Sequence, residues 1–318
     1  MRTYLIRRIL LLIPTVFLVT IIVFLTVRLM PGDVVDLIVA DMGEQSRGVD
    51  RAGIEAALGL DVPIHVQYGR WVSEIFLHGN LGTSLRTRTT VTEEIVSRIP
   101  VTFELGLLSL IIANLVAFPV GIYSAIRQNT WLDYVGRSFA ILSLATPAFW
   151  LASMLIVFGG RYWSWSPNVE YIAFTANPIE NLKMFLLPAI LTGTAASGGL
   201  MRGLRTITLE VIRQDYIRTA WSKGLRERVV VIRHALRNAM IPLVTMLIPQ
   251  LGALIGGSVI MEQIFALPGM GRYLLSVIVK RDYLVVSGTN LIYAGFTMFL
   301  ILLTDISYAY LDPRVRYR

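Results

Sequence analysis

Apolar residues fall into six long runs, at 9–27, 101–125, 135–158, 184–201, 239–261 and 290–310. Each run is close to the ~20 residues that a helix needs to cross a hydrocarbon core. The pattern predicts an all-α membrane protein with six transmembrane helices. The fourth run is diluted by Gly193, Thr194, Ala195, Ala196, Ser197, Gly198 and Gly199. It is kept as a span because dropping it leaves an odd number of crossings and spoils the balance of charge across the membrane. The first run enters through Arg7 and Arg8 and leaves at Arg28. The residues beyond it, Arg28-Leu29-Met30-Pro31-Gly32-Asp33, do not form a small-x-small cleavage site, so the run reads as an uncleaved anchor rather than a signal peptide. The chain divides into an anchor (1–30), an outer loop region (31–100), a five-helix core (101–310) with an inner stretch at 202–238, and a tail (311–318).

The outer loop carries order signals. Tyr68, Val72, Ile75 and Phe76 recur at helical spacing, which predicts a helix with one apolar face at rest on something. Gly79-Asn80-Leu81-Gly82 reads as a turn. Thr90-Val91-Thr92-Glu93 reads as a capping box that opens a short helix ending before Pro100. This region is either a lid packed on the bundle or a docking surface. In the inner stretch, Leu204, Ile207, Val211 and Ile212 form a helical stripe. Residues 215–223 then make about two turns of helix. Asp215 suits the positive end of that helix and Lys223 the negative end, and Gly224 stops it. Either this is a helix offered to another protein, or it is a basic loop that only fixes topology; start and stop signals are superfluous for the second role.

Composition agrees with a membrane chain. Of 318 residues, 55% are hydrophobic and 16% charged, against about 25% charged in a soluble domain, and mean hydropathy is +0.63. A soluble enzyme, a disordered chain and a disulfide-stapled secreted protein are excluded, the last by the absence of cysteine. The net charge of +8 then becomes a question of where the positive residues sit. With the N-terminus inside, the short inner segments hold 17 Lys and Arg and the longer outer ones 12. The positive-inside rule therefore places both termini in the cytoplasm. The predominance of arginine over lysine reads as a genome preference.

Four blocks, taken in order, resemble one family. They are Phe24-Leu25-Thr26-Val27-Arg28-Leu29-Met30-Pro31-Gly32-Asp33; Leu58 to Tyr68 with Trp71 and Gly79 to Ser84; Asp215-Tyr216-Ile217-Arg218-Thr219-Ala220-Trp221-Ser222-Lys223-Gly224-Leu225; and Ile264 to Arg272 with Arg281-Asp282-Tyr283 and Gly288. Across essentially the whole chain the sequence resembles the transmembrane subunits of ATP-binding-cassette (ABC) importers, specifically the first-permease (B-type) subunit of the dipeptide, oligopeptide and nickel family. The resemblance implies a type I importer (MetI-like) permease core. It also implies a homologous second permease, two ATPase subunits, an extracytoplasmic substrate-binding protein and a bacterial or archaeal cytoplasmic membrane. It implies transport of peptides; nickel chelates or oligosaccharides are the alternative cargo. By the same resemblance, Arg218, Thr219, Ala220 and Gly224 occupy the family's ATPase-coupling motif, with Asp215, Tyr216, Lys223 and Leu225 beside them. Thr219 and Ala220 are small enough for a close approach to the ATPase. Arg218 stands where many importers have glutamate, and the usual Leu-Pro after the glycine is missing. Pro268, Gly269, Gly271, Arg281, Asp282 and Tyr283 form the last outer loop motif. The chain itself is expected to bind no cofactor and no nucleic acid; ATP and Mg belong to the partner ATPases. It is not expected to be an enzyme, since no phosphate-binding loop of the GxxxxGK[ST] kind occurs.

Other features carry two readings each. Pro14, Pro119, Pro147, Pro188, Pro242 and Pro249 lie in or beside spans, as simple kinks or as hinges. Gly252 and Gly256 form a GxxxG with Gly257 adjacent. This and the run that includes Gly193, Gly198 and Gly199 serve either helix packing or the pathway. Glu104, Asn114 and Asp305 are the polar residues in or near spans; Glu104 and Asp305 are read as interfacial rather than as proton relays. His65, His78 and His234 fall in loops, and no metal site is expected. A stand-alone secondary carrier would want an internal repeat, and an intramembrane hydrolase a nucleophile and base at membrane depth; neither is found.

Overall fold

The computed structural model describes residues 2–29, 60–84, 87–168 and 170–311, with the isolated positions Val35, Ala52, Gly53 and Glu55. The ends of two resembling blocks (30–33 and 58–59), residue 34, most of 36–59 and the tail 312–318 lie outside the described residues. Among the described residues the chain is helical, with one isolated antiparallel bridge between Thr83 and Thr90. The helices are α1 (Arg2–Arg28), α2 (Ile64–His78), α3 (Val91–Ile126), α4 (Trp131–Ala145), α5 (Ala148–Trp163), α6 (Pro178–Ile212) and α7 (Asp215–Ser222). A helical turn at Glu227–Val229 and a π-helical segment at Val230–Leu236 lead into α8 (Arg237–Gly257). The last three are α9 (Val259–Ile264), α10 (Met270–Val279) and α11 (Tyr283–Leu311). Among the described residues five helical stretches are long and apolar enough to cross a membrane, and α4 with α5 makes a sixth if that bent pair counts as one span.

Several boundaries depart from those the sequence suggests, each for a physical reason. The helix opened by Thr90 does not stop before Pro100. Thr90 Oγ1 accepts from the Glu93 N–H at 3.3 Å as expected, but α3 runs through Pro100 and Pro119 to Ile126. A proline inside a membrane helix is tolerated because its surroundings satisfy the freed carbonyl. The third span is instead broken, with α4 and α5 bent by 84° at Thr146-Pro147. Thr146 is driven to φ −97°, ψ 115°, the extended region that a following proline imposes. The difference between these prolines is that Pro147 opens α5 as its N-cap, whereas Pro100 lies inside a helix already under way. The fourth helix continues eleven residues past 201, so much of the inner stretch is α6 itself. The fifth is interrupted at Ser258, and the sixth begins at Tyr283 rather than at 290. Phe76, expected on the covered face of α2, is 59% exposed.

The chain forms two compact units. The first comprises 1–8, 99–272 and 297–318. Among the described residues its apolar clusters include two between the spans. One gathers Val101, Leu105, Phe185, Ala189, Met261 and Phe265; the other gathers Ala113, Ala117, Leu200, Leu204 and Leu243. Glycines allow the helices to close on each other here. A Cβ on Gly193 would stand 2.6 Å from the Ser109 carbonyl oxygen, and one on Gly198 2.6 Å from that of Ala140. Arg8 meets Asp305 at 3.1 Å.

The second unit comprises 9–98 and 273–296. Tyr68 and Trp71 of α2 pack against Phe17 and Phe24 of α1, and Tyr68 shares a hydrogen bond with Thr20 at 2.8 Å. Arg98 lies 4.0 Å above the Tyr273 ring. Burial, together with the carboxylates of Glu94 and Asp282, pushes the Tyr273 hydroxyl up to about 12.

Candidate functional site: a capped helix and a buried carboxylate

The region around α7 is built from local signals. Asp215 begins the helix, and its carbonyl oxygen accepts from Thr219 Oγ1 at 2.9 Å. At the far end the Gly224 N–H donates to Trp221 O at 2.9 Å and the Leu225 N–H to Ala220 O at 3.4 Å. Those two bonds define a Schellman closure. It requires a left-handed residue, supplied by Gly224 at φ 77°. No atom lies within 4 Å of where a Gly224 Cβ would stand, so the demand for glycine is conformational and not spatial.

One face of α7 is anchored. Ile217 and Ala220 are buried against Val230 and Ala235, with Val211 and Ile212 packed alongside. Burying Ile217 alone contributes about 1.5–3 kcal/mol. Asn238 donates to Tyr216 Oη at 2.9 Å, tying the helix to the start of α8. The opposite face is open: Asp215, Arg218, Thr219, Ser222, Lys223 and Gly224 are exposed, with Tyr216, Trp221 and Leu225 beside them. Arg218 and Asp215 stand 3.6 Å apart in solvent. The sequence reading put Ala220 with Thr219 at the surface of close approach. The structure separates them, because one residue of helix turns Ala220 inward to 7% exposure while Thr219 remains outside.

The last outer motif is divided between the two units. Pro268, Gly269 and Gly271 lie with the first unit, around a residue the sequence reading passed over. Glu262, fully buried, accepts from Thr102 Oγ1 at 2.7 Å, Ser258 Oγ at 2.8 Å and the Arg272 N–H at 2.9 Å. The Met270 N–H in turn donates to Thr102 Oγ1 at 2.8 Å. A Cβ on Gly269 would stand 2.3 Å from the Glu262 carboxyl carbon, and one on Gly271 2.5 Å from Val259 Cγ2. The two glycines are thus where the chain must press against α9 and its carboxylate. Arg281, Asp282 and Tyr283 lie in the second unit. Arg281 closes α10 in a left-handed conformation at φ 53°. Asp282 is buried, accepting from Ser84 Oγ at 2.5 Å and from the Val285 N–H at the start of α11.

Of the small residues read as packing or pathway, Gly193 and Gly198 pack as described, and a Gly252 Cβ would meet Leu300 Cδ1 at 2.9 Å. Gly199 and Gly256 face open space; the surroundings of Gly257 lie outside the description. Asp133, also missed, is fully buried and held by Ser124 Oγ and by Arg205 Nε and Nη2, both at 3.1 Å. Glu104 accepts from Asn181 Nδ2 at 3.4 Å, and Asn114 donates to Leu110 O at 2.6 Å. Among the described residues no group of three His, Asp or Glu comes together to hold a metal ion.

Comparison with known proteins gives this geometry its context. The family described as binding-protein-dependent transport system inner membrane component matches residues 117–317, and its N-terminal companion matches 1–106. A Brucella abortus protein with the provisional name of peptide transport system permease protein is 40% identical over 318 residues, all of both chains. The glutathione transport system permease protein GsiC of Salmonella paratyphi A is 37% identical, again over all of both chains. Among solved structures, the inward-facing methionine ABC transporter MetNI is similar in fold, with a TM-score of 0.54 at 16% identity. That match covers 70% of this chain and 97% of the other. The chain belongs to the inner membrane components of binding-protein-dependent transport systems, and is a multi-pass permease subunit of an ABC importer.

Proposed function

We propose that the chain forms one half of the membrane passage of a peptide importer, paired with a homologous second permease. Two ATPase subunits bind on the cytoplasmic side, bring ATP and Mg with them, and grip the exposed face of α7. An extracytoplasmic binding protein delivers the cargo, and both termini lie in the cytoplasm. The permease itself hydrolyses nothing.

The observation that carries this reading is the construction of α7. It is a two-turn helix fastened on one side by Ile217 and Ala220, closed by a glycine, and left polar on the other side. It comes after α6 with only Arg213 and Gln214 between, so movement of α7 is movement of a span. Peptide cargo is supported by the relatives' names, one a peptide and one a glutathione permease. The positive-inside distribution supports the orientation.

The test is the complete transporter, with its binding protein, in proteoliposomes. Gly224→Val should leave the permease inserted and assembled while binding-protein-stimulated ATP hydrolysis and uptake of labelled short peptides part company or fall together at least tenfold. Undiminished uptake would refute the coupling role. Uptake of nickel chelate or oligosaccharide with no peptide uptake would refute the cargo and leave the coupling role standing.

A further inference from the structure

A second polar constellation lies where α3 ends and α4 begins, built from residues that belong neither to α7 nor to the Glu262 network. α3, α4 and α6 line an open recess of about 270 Å³. Arg137, Arg202 and Arg205 line it. Asp133 neutralises one of them and also orients it: its two oxygens take the Nε and Nη2 donors of Arg205 at 3.1 Å. The other N–H groups of that planar fork stay available. Arg137 and Arg202 are exposed, and among the described residues neither has an ion-pair partner. The recess thus sets three guanidiniums against one carboxylate.

Beyond the arginines the lining is mostly apolar, with the hydroxyl residues Ser124 and Thr206 among it. Val120, Ala140 and Met201 form part of it, and Ile141, 60% exposed, opens it toward the outer face of α4. That face continues with the exposed Tyr134, Val135 and Leu142. A basic recess that runs directly into an apolar, outward-facing helix surface at the end of a span matches the chemistry of an anionic phospholipid: phosphate at the guanidiniums, acyl chains along α4. A soluble partner is less suited to it. Arg202 precedes the end of α6 by ten residues, about 15 Å of helix rise, so the recess sits that much nearer the apolar core than α7 does.

We infer that this recess between α3, α4 and α6 is a binding site for the headgroup of an anionic phospholipid, held by Arg137, Arg202 and the Asp133-oriented Arg205. Bidentate guanidinium–phosphate contacts give it strength and direction. The bound lipid packs against the α4 surface, and no residue of α7 lines the site.

The experiment uses the full chain purified in detergent and titrated with phosphatidylglycerol or phosphatidylcholine, bound lipid being counted by native mass spectrometry. The wild type should retain phosphatidylglycerol and not phosphatidylcholine. R137Q/R202Q should weaken retention roughly thirtyfold, the effect expected from two basic residues at an anionic surface, and each single variant about fivefold. R226Q/R228Q removes the same charge from exposed positions outside the recess and should change nothing. Helical circular dichroism and the unfolding temperature of each variant establish that it is folded, and the single variants keep the test alive if the double one is not. Equal retention by R137Q/R202Q, or equal retention of the zwitterionic lipid by wild type, overturns the site. So does displacement of phosphatidylglycerol by millimolar inorganic phosphate, which would make the recess a phosphate site and not a lipid site.

Discussion

Two of the chain's glycine-bearing turns solve opposite problems. At 215–225 a helix stands on a few buried apolar side chains, and its glycine meets nothing. At 262–272 a fully buried carboxylate gathers two hydroxyls and a backbone N–H, and its glycine is pressed against it. In the first, glycine sets the backbone conformation; in the second, it provides the space. The difference teaches that a glycine sets shape in one place and permits contact in another, and only the surroundings tell which. A turn held at its base and open at its face can be gripped by a partner, whereas a turn stitched through its interior keeps its own shape.

Substitutions sharpen that contrast. The largest effect is expected from Gly269→Ala, which forces a methyl into the Glu262 carboxylate. Overpacking of this kind costs about 3 kcal/mol or more where neighbours cannot yield, so thermal unfolding in detergent should show a large drop or no folded protein. Glu262→Leu should come next, because the Arg272 N–H and the Thr102 hydroxyl lose their acceptor, at about 1–3 kcal/mol for each buried donor left unmade. Glu262→Gln should be much milder: its oxygen can serve Arg272, and its amide can donate to hydroxyls that rotate. If Leu and Gln unfold at the same temperature, the carboxyl group is not what stitches the turn.

At the other turn the ranking concerns function more than stability. Gly224→Val should cost about 1–2 kcal/mol, the usual penalty for a side chain in the left-handed region, and Gly224→Asn distinctly less. If crowding and not conformation set the penalty, Asn and Val would melt alike. Arg218→Ala should be the smallest change, within about 0.5 kcal/mol, since its ion pair with Asp215 is exposed. A defect in ATPase binding without a change in melting would then report the partner surface directly.

The parts legible in the sequence are those set by neighbours a few residues away. The start of α7 at Asp215 and its stop at Gly224 are readable because caps are local. The capping role of Thr90 is readable for the same reason. Glu262 is not, because its partner Thr102 lies 160 residues away, and a lone glutamate just past an apolar run looks like a span boundary. Asp133 is hidden likewise: Arg205 stands 72 residues distant. The inward turn of Ala220 depends on Val230 and Ala235, which the sequence leaves in an undifferentiated basic stretch. Proline misleads in both directions, since Pro100 is absorbed and Pro147 breaks the chain by 84°.

Helix α6 has 35 residues and therefore extends about 52 Å, against a hydrocarbon thickness of about 30 Å. Such an overhang acts as a lever arm. If ATPases grip α7 as proposed, a shove there, only two residues beyond the tip of α6, would arrive at Pro178 as a displacement of the opposite end with the sense reversed about whatever point is held fixed. Gly193 and Gly198, where a Cβ would stand 2.6 Å from a neighbouring carbonyl oxygen, would then serve as the fulcrum, and motion at the inner and outer ends of α6 would be linked.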